Sequence, residues 1–398
     1  MGRAGGLIGG PMKILTLCYE FPPLGGGGSK VVAGLTRELA ELGHTVDVVT
    51  MGYRGLPRKE SLHGVTVYRV PCFRLSSSVC SPPELASYLC SAVPLALRLA
   101  RQNHYDINHT HFIFPDGVIA WILKARTGLP YVITAHGSDV PRFNPDRFRL
   151  MHKFLGPAWH RIVAGADRII SPSRHLSDLI RQSRDEVPLD LIPNGIDPAK
   201  YRADRARAKR ILVVSRLFER KGVQHLLRAV DGLELDHEVE IVGTGPYLST
   251  LRSMAAPQGA AIRFRGWLDG GSRDLRDLYE TSSIFVFPSE MENFPVVLLE
   301  AMAAGAAIIT TKGTGCDEVV GDAALLVKPR DTAGLRAALV RLMREPDLCR
   351  RLGQAARARL EQKFGWPSVA RQYLQVYRGA SGGFLPKMGS VLAGENAG

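Results

Sequence analysis

The amino-acid sequence predicts an α/β protein with two Rossmann-like domains that face each other across a cleft. Short apolar segments alternate with helical segments along its 398 residues, an order typical of doubly wound parallel sheets. The order restarts after the segment 193–198, and the length exceeds that of a usual single core. Because ligands bind outside the carboxyl ends of parallel strands, the two domains are expected to share one site in the cleft.

The first domain is expected to span residues 12–195, after a flexible N-terminus at 1–11. Its first strand, 13–18, leads into a glycine-rich turn and then into a helix from about Ser29 to Leu42. Ser29 suits the N-cap of that helix, and Gly43 suits the position after its end. The remaining strands are expected at 45–50, 65–70, 107–110, 131–134, 168–170 and 189–192.

The second domain is expected to span residues 196–366. The same alternation predicts its strands at 211–215, 239–243, 262–266, 284–287 and 307–310, followed by helices at 331–344 and 346–362. A terminal helix, 367–380, is expected to return to the first domain. The glycine-rich tail, 381–398, is expected to be flexible.

Composition and charge narrow the class of protein. Hydrophobic residues make up 45% of the chain and charged residues 22%, values that are ordinary for a soluble globular enzyme. No apolar stretch reaches the ~18 residues of a membrane span, residues 1–11 lack the apolar core of a secretory signal, and the cysteines show no zinc-like spacing. We therefore expect a reduced, cytoplasmic protein. The net charge of +13 suits an anionic partner: a nucleotide diphosphate, a phospholipid surface or nucleic acid.

Two glutamates surround the predicted start of a helix in the second domain. Glu292 follows a buried strand, and Pro295 is expected to open the helix that contains Glu300. At ~1.5 Å per residue, Glu300 lies roughly 8 Å below the helix start. This length suits a nucleoside diphosphate whose phosphates take the N-terminal amides while a carboxylate holds ribose hydroxyls. The alternative is a pair of carboxylates on a helix surface.

Basic and glycine-rich loops at other strand ends suit the same anion. Arg216 and Lys221 follow the first strand of the second domain, where a planar guanidinium and a compact ammonium can both bind a diphosphate. A solvated basic loop is the alternative. Four consecutive glycines, 25–28, follow the first strand of the chain and allow backbone N–H groups to approach a charged ligand, although a flexible turn has the same pattern. The candidates among them are Gly26, Gly27 and Gly28.

Polar residues of the first domain complete the set of candidates. His136 and Asp139 follow the apolar strand 131–134, from where a histidine reaches a cleft; a structural or exposed histidine is the alternative. Asp139 is expected to orient a loop, to bind the acceptor or to cap a helix. Asn194 lies in a turn at the domain junction, as an acceptor contact or as part of a hinge.

Together these motifs resemble glycosyltransferase family 4, whose members are retaining enzymes with the GT-B fold. The resemblance covers roughly residues 12–378 and includes the glycine-rich loop, His-Gly-x-Asp, Asn-Gly-Ile-Asp, Arg-x4-Lys and Glu-x7-Glu in the family's order. Asn293, Phe294 and Pro295 depart from the family, which has Gly-Phe-Gly-like residues after the first glutamate. Pro295 removes one amide that would otherwise be available to the donor.

The resemblance implies transfer of a sugar, with retention, from a nucleoside-diphosphate sugar to an acceptor hydroxyl. A UDP-sugar is expected first and GDP-mannose next, with front-face attack, the leaving phosphate as base, and no metal or other cofactor. No Asp-x-Asp metal motif occurs in the sequence. The implied catalytic residues are His136 beside the sugar, Arg216 and Lys221 on the diphosphate, and Glu292. The implied donor-binding residues further include Gly26, Gly27, Gly28, Gly243, Gly266, Asn293, Phe294, Pro295 and Glu300.

Three alternatives stay open at this point. Another GT-B enzyme, such as a nucleotide-sugar epimerase or an inverting transferase, is disfavoured by the combination of Arg-x4-Lys with Glu-x7-Glu. A basic nucleic-acid-binding protein is motivated by charge alone, without the interleaved aromatics or the recognised fold of such proteins. A catalytically silent scaffold disagrees with the intact motifs.

The acceptor is expected on the first domain, and peripheral association with the inner face of the membrane is a further expectation. The segment 141–161 interleaves basic residues with aromatic and apolar ones, and 79–99 adds a second apolar stretch. A basic helix with an apolar face can lie among lipid headgroups. Ordinary packing of amphipathic helices on the sheet is the alternative.

Overall fold

The computed structural model describes residues 10–77, 80–143, 145–256 and 261–382. Two largely parallel sheets, with helices between successive strands, confirm the predicted α/β class. The strands of the first sheet are β1 Lys13–Leu17, β2 Thr45–Met51, β3 Lys59–Leu62, β4 Val65–Val70, β5 Ile107–His111, β6 Tyr131–Thr134, β7 Arg168–Ser171 and β8 Leu189–Leu191. They lie in the order β3-β4-β2-β1-β5-β6-β7-β8.

One strand of the first sheet has no counterpart in the sequence prediction. β3 is antiparallel to β4, whereas the other neighbours in this sheet are parallel. The two strands are joined by His63 and Gly64, whose φ angles are 50° and 82°. Positive φ at both central positions is typical of a tight hairpin turn. The strand itself carries a single apolar residue, Leu62, so apolar patterning gives no signal there.

The helices of the first domain begin at the carboxyl ends of its strands. They are α1 Gly27–Glu41, α2 Pro82–Asn103, α3 Asp116–Thr127, α4 Pro145–Gly165 and α5 Arg174–Ser183. The predicted N-cap at Ser29 is wrong: α1 already starts at Gly27, Gly26 is its N-cap, and Ser29 is buried in the first turn. The glycine-rich turn therefore forms the beginning of the helix itself.

The second sheet contains six parallel strands: β9 Ala208–Val214, β10 Glu238–Val242, β11 Ile262–Gly266, β12 Ser282–Phe287, β13 Ala307–Thr311 and β14 Leu325–Val327. Their order is β11-β10-β9-β12-β13-β14. The helices that accompany them are α6 Val223–Val230, α7 Leu248–Ala255, α8 Arg273–Thr281, α9 Val296–Ala304, α10 Gly315–Val320, α11 Thr332–Arg344 and α12 Pro346–Lys363. β12 and α9 are almost entirely buried, as their continuous apolar sequences require.

The last helix, α13 Trp366–Ala380, packs on the first sheet and on α1. The hydroxyl of Tyr377 lies 2.7 Å from Nδ1 of His109 in β5. The indole of Trp366 approaches Gly34 and Gly195 so closely that a Cβ at either position would lie 2.3 or 2.4 Å from it. Only glycine therefore allows this contact between the end of the chain and the first domain.

None of the helices in the described ranges is long and apolar enough to cross a membrane.

Candidate active site

Two helix N-termini from different domains meet at the carboxyl edges of the sheets. A Cβ on Gly27, the first residue of α1, would lie 3.8 Å from Cγ2 of Val296, the first residue of α9. Neither N-cap residue caps its helix with its own side chain, and neither first turn contains an acidic residue, although the Glu20 carboxylate accepts the amide of Gly26. The first amides of a helix lack partners within it and carry the positive end of the dipole. The arrangement therefore suits an anion that lies between the domains.

The start of α9 corrects one detail of the sequence prediction. Pro295 occupies the N-cap, with φ −73° and ψ 119°, and the helix begins only at Val296. The amide that proline lacks is therefore not one of the helical amides. The backbone amides in the first turn of α9 therefore remain available to contact the donor.

The basic loop after β9 places the ammonium group of Lys221 at the same carboxyl edge of the sheet. Lys221 forms an ion pair with Glu292, and both side chains are largely buried. Gly222 next to it has φ 72°, and a Cβ there would lie 2.0 Å from the carbonyl oxygen of Pro288. This glycine lets the loop approach the end of β12 and so brings Lys221 to Glu292.

Arg216 lies at the same edge on the surface of the cleft. Its guanidinium is 5.7 Å from the centre of the Phe218 ring. It faces Glu20, which follows β1 of the first domain. Burial raises the pKa of the Glu20 carboxyl, whereas the charges of Arg74 and Arg216 lower it. Arg216 thus stands between the two domains, exposed on one side and electrostatically coupled to Glu20 on the other.

Glu300 lies below the start of α9, as predicted, but its carboxylate is already engaged by other side chains. Its carboxylate accepts hydrogen bonds from Nζ of Lys30 in α1 and from the hydroxyl of Tyr279, both at 2.9 Å. The Glu300 side chain is buried, whereas that of Lys30 is partly exposed. Lys30 was not among the sequence candidates, because only the folded chain shows which carboxylate it reaches. The pair links α1 of one domain to α9 of the other.

His136 faces the glycine-rich loop from the first domain. A Cβ on Gly28 would lie 3.5 Å from its Nδ1, and its Nε2 lies 3.1 Å from Nδ1 of His111. Burial lowers the pKa of His136 to about 4, and burial likewise holds the pKa of His111 well below the usual value. Both rings are therefore neutral near pH 7, so His136 offers a polar contact rather than a charge.

Asp139 shapes the loop that carries His136. One carboxylate oxygen accepts the amides of His136 (3.0 Å) and Gly137 (2.9 Å), and the other accepts the amide of Ile113 (2.8 Å). Only 4% of Asp139 is exposed. Of the roles considered for this residue, the structure supports loop orientation. Acceptor binding by Asp139 stays a prediction, although its carboxylate is enclosed and engaged by backbone amides.

Two asparagines join the domains. Asn194 donates from Nδ2 to the carbonyl oxygen of Phe294 at 3.1 Å, and Asn293 accepts from Oγ of Ser173 at 2.6 Å. Both are buried. Asn194 therefore joins the two domains at the junction, where the hinge alternative places it, and its contact with the acceptor stays a prediction.

Phe294 does not face the cleft with its side chain. The ring packs edge-to-face on Phe364, with 5.5 Å between ring centres, inside the core of the second domain. The ring is thus engaged in the core, so the predicted donor contact of Phe294 would use its backbone.

Glycines at two strand ends of the second sheet serve close packing and turns. Gly243 has φ 135°, and a Cβ there would lie 1.8 Å from the carbonyl oxygen of Ser215. Gly266 has φ 71° and open space around its Cβ position. The amide of Gly243 donates to the carbonyl oxygen of Gly266 at 2.7 Å. Both can offer only backbone groups to a ligand, and their contact with the donor stays a prediction.

A further interdomain contact was not visible in the sequence. The carboxylate of Glu318 in α10 accepts the amides of Arg174 (2.8 Å) and His175 (3.1 Å), the first residues of α5. A carboxylate at a helix N-terminus is favourable because it complements the dipole and the unpaired amides. Glu318 thus caps a helix of the other domain and helps to fix the width of the cleft.

The described side chains do not gather into a metal site. Within the ranges that the structure covers, no three His, Cys, Asp or Glu residues lie close enough together to hold an ion.

The proposed membrane-binding face is only partly within the described structure. The side chains of residues 145–154, which carry much of its basic and aromatic character, lie outside the described residues, as does Val79. Among the others, Trp159 is buried and donates from Nε1 to the carbonyl oxygen of Asp139 at 3.0 Å. Tyr88 is fully buried and donates to Asp116 at 2.6 Å. These two aromatics belong to the core, as the packing alternative predicted.

Comparison with known proteins points to the same family that the sequence motifs resemble. Residues 25–200 match the model of Glycosyltransferase Family 4, and residues 200–359 match that of Glycosyl transferases group 1. A D-inositol 3-phosphate glycosyltransferase from Acidothermus cellulolyticus is 30% identical, over 93% of this chain and 89% of that protein.

Two solved structures have the same architecture. Sucrose-phosphate synthase from Thermosynechococcus elongatus superposes with a TM-score of 0.77 at 24% identity, over 92% of this chain and 98% of the other. HepE from Anabaena, in complex with UDP-glucose, superposes with a TM-score of 0.72 at 18% identity, over 92% and 98%.

The fold and the matched models define a glycosyltransferase of the GT-B type. The chain belongs to glycosyltransferase family 4, the family that its motifs resemble. The predicted fold, family and enzyme class are thereby confirmed. Membership in an enzyme family also decides against a basic nucleic-acid-binding protein.

Proposed function

We propose that this enzyme transfers a sugar, with retention of configuration, from a nucleoside-diphosphate sugar to an acceptor hydroxyl, without a metal ion. The main support is the meeting of two helix N-termini, α1 and α9, beside Arg216 and Lys221. This arrangement concentrates amide donors and positive charge at one place between two domains. A diphosphate needs such an environment both when it binds and when it leaves.

The leaving diphosphate gains charge as its bond to the anomeric carbon breaks. Lys221 and Arg216 stabilise that charge, together with the dipole ends of α1 and α9. Glu292 keeps Lys221 in place through their ion pair. Glu300 takes ribose hydroxyls, which requires the carboxylate to share or exchange its present partner Lys30.

The sugar lies between His136 and the loop that carries Glu292. Neutral His136 hydrogen-bonds a sugar hydroxyl, and Asp139 keeps it in position through the loop amides. In front-face attack, the departing phosphate oxygen takes the proton of the acceptor hydroxyl, so that no protein base is needed on the opposite face. Closure of the two domains excludes water and limits hydrolysis of the donor.

The relatives support a nucleotide donor and a UDP-sugar in particular. HepE is described in complex with UDP-glucose, and it shares this fold over nearly the whole chain. Starch synthase IV from Arabidopsis thaliana, bound to ADP and acarbose, shares it as well. We place UDP-sugars first and GDP-mannose second.

The proposal also places the enzyme in a reducing cytoplasm. All six cysteines are unpaired, and burial raises the pKa of the Cys316 thiol to about 12. Buried neutral thiols of this kind are structural rather than reactive.

A thermal-shift screen across UDP, GDP, ADP and TDP tests the donor class. A ligand at a hundredfold excess over its Kd stabilises the folded state by about 2.7 kcal/mol. We expect the largest rise in Tm with UDP, and a smaller rise in the double variant Arg216→Ala/Lys221→Ala. Equal Tm values with and without each of the four nucleotides would refute a nucleoside-diphosphate donor.

A further inference from the structure

A second basic site lies next to the glycine-rich loop, in the first domain. A cavity of about 360 Å³ opens between the loops that follow β2 and β4. Both strands are parallel to β1, so their carboxyl ends lie at the same sheet edge as the start of α1. Ligands bind at such edges. The walls include four arginines: Arg54, Arg58, Arg69 and Arg74.

The buried arginine of this cavity has unused hydrogen-bonding capacity. Arg69 is only 3% exposed. Its Nε and Nη2 bind the carboxylate of Glu60, at 3.1 and 2.5 Å, and Nη2 also donates to the carbonyl oxygen of Pro22 at 3.0 Å. Its Nη1 is buried and has no partner among the described residues. An unpaired donor of a buried charged group is costly unless a ligand satisfies it.

Of the other three arginines, one is held by protein groups in the wall of the cavity, and two are available to bind a ligand. Arg74 is fully engaged by Met51, Glu20 and the carbonyl oxygens of residues 76 and 77. Arg54 and Arg58 are exposed, and neither forms an ion pair within the described residues. Three glutamates lie against these four arginines: Glu60 binds Arg69, Glu20 binds Arg74, and Glu84 binds the amide of Leu75 near Arg74. The cavity therefore keeps an excess of positive charge at its opening.

Direct contacts connect this cavity to the donor side of the cleft. The amide of Gly25 donates to the carbonyl oxygen of Ser77 at 2.9 Å, so the loop after β4 supports the glycine-rich loop. Two exposed apolar side chains stand at the rim, Phe73 at 57% and Leu75 at 66% exposure. A ligand here would lie beside the glycine-rich loop, with its anionic group on the arginines and its apolar part on this rim.

We propose that the cavity binds a phosphate or carboxylate group of the acceptor substrate and so selects anionic acceptors. That the anion belongs to an acceptor rests on the proposed sugar transfer. Anion binding by the cavity does not depend on that proposal. Arg54 and Arg58 supply the charge at the opening, and the buried Arg69, whose Nη1 has no partner among the described residues, adds a further positive charge in the wall.

Inorganic phosphate is the first probe, measured by titration calorimetry on the full chain saturated with UDP. The test variant is Arg54→Gln/Arg58→Gln. The matched control, Arg101→Gln/Arg126→Gln, removes the same charge from the last turns of α2 and α3, at the opposite edge of the sheet. We expect the Kd for phosphate to rise at least roughly tenfold in the test variant and less than about twofold in the control. An equal change in both, or no phosphate binding to the unmodified chain, would overturn the inference.

The affinity for UDP separates this inference from the proposed function. Both variants should bind UDP as the unmodified chain does, because neither removes a group of the donor site. If no protein binds UDP, the proposed function fails. The phosphate titration, repeated without nucleotide, still decides whether the cavity binds anions.

Vesicles separate a lipid-linked acceptor from a soluble one. Sedimentation with phosphatidylglycerol vesicles, but not with phosphatidylcholine vesicles, and loss of that binding in the test variant would indicate a lipid-linked anion. Binding of glycerol 3-phosphate or malate without vesicle binding would indicate a soluble acceptor. Both results support the cavity. If the test variant binds vesicles and soluble anions as strongly as the unmodified chain does, the inference is contradicted.

Discussion

Replacement of Glu300 by glutamine tests the donor site through one buried carboxylate. The substitution keeps the shape of the side chain and removes its charge. Hydrogen bonds to charged groups contribute about 1.5–3 kcal/mol, against about 0.5–1.5 kcal/mol for neutral pairs, so each ribose hydroxyl loses about 1 kcal/mol. Two hydroxyls together make the binding of UDP about 2 kcal/mol weaker, or roughly 30-fold in Kd.

The fold should tolerate the Glu300→Gln change. Tyr279 can still donate to the amide oxygen, and the ion pair with the partly exposed Lys30 is worth only about 0–1 kcal/mol. Titration calorimetry gives the affinity, and thermal unfolding verifies the fold. Glu280→Gln is the matched control: this side chain is equally buried, and its partners, Arg205 and the amide of Arg202, belong to the second domain. An unchanged Kd for UDP in folded Glu300→Gln, or an equal loss in Glu280→Gln, would refute the role of Glu300.

Three further predictions concern chemistry, metal dependence and pH. Arg216→Ala and Lys221→Ala should each lower kcat together with kcat/KM, because both side chains act on charge that grows as the diphosphate leaves; a change confined to KM would show ground-state binding only. Turnover should survive EDTA, since two basic side chains take the place of a cation; a loss that Mg²⁺ or Mn²⁺ restores would contradict this. The folded-state pKa of His136 is lowered from 6.5 to about 4, so the unfolded chain binds its proton first and stability falls as pH drops from about 6.5 to 4. His136→Asn should lose less stability as the pH falls from 6.5 to about 4, by up to about 1.4 kcal/mol per pH unit. Parallel curves of stability against pH for the variant and the unmodified chain would argue against a neutral His136 in the folded state.

Apolar patterning predicted twelve of the fourteen strands in the described ranges, because buried parallel strands are continuous apolar runs, but it missed β3 and the three-residue β14. β12, Ser282–Phe287, and the helix after it follow from such a run and from the position of Pro295. β3 was not predicted because its pairing comes from the turn at His63 and Gly64 rather than from its own composition. The start of α1 was misplaced because glycine, a poor helix former, opens this helix.

The candidate site was predictable where a motif lies at a strand end, and not where two domains supply one contact. Lys221 and Glu292 were both named, yet their ion pair became visible only in the folded chain. Lys30 and Glu318 each bind groups of the other domain, at separations of 270 and 143 or 144 residues. Local sequence carries no signal for such pairs. Asp139 shows the converse: its motif was recognised, but only the backbone amides around it distinguish loop support from substrate contact.

The first product of donor hydrolysis tests the central claim most directly. Retaining transferases release the sugar with the configuration of the donor, even when water replaces the acceptor. We predict that proton NMR of the enzyme with an α-linked UDP-sugar shows the α-anomer of the free sugar first, and the β-anomer only later through mutarotation. A β-anomer that appears first would contradict a retaining mechanism at this site.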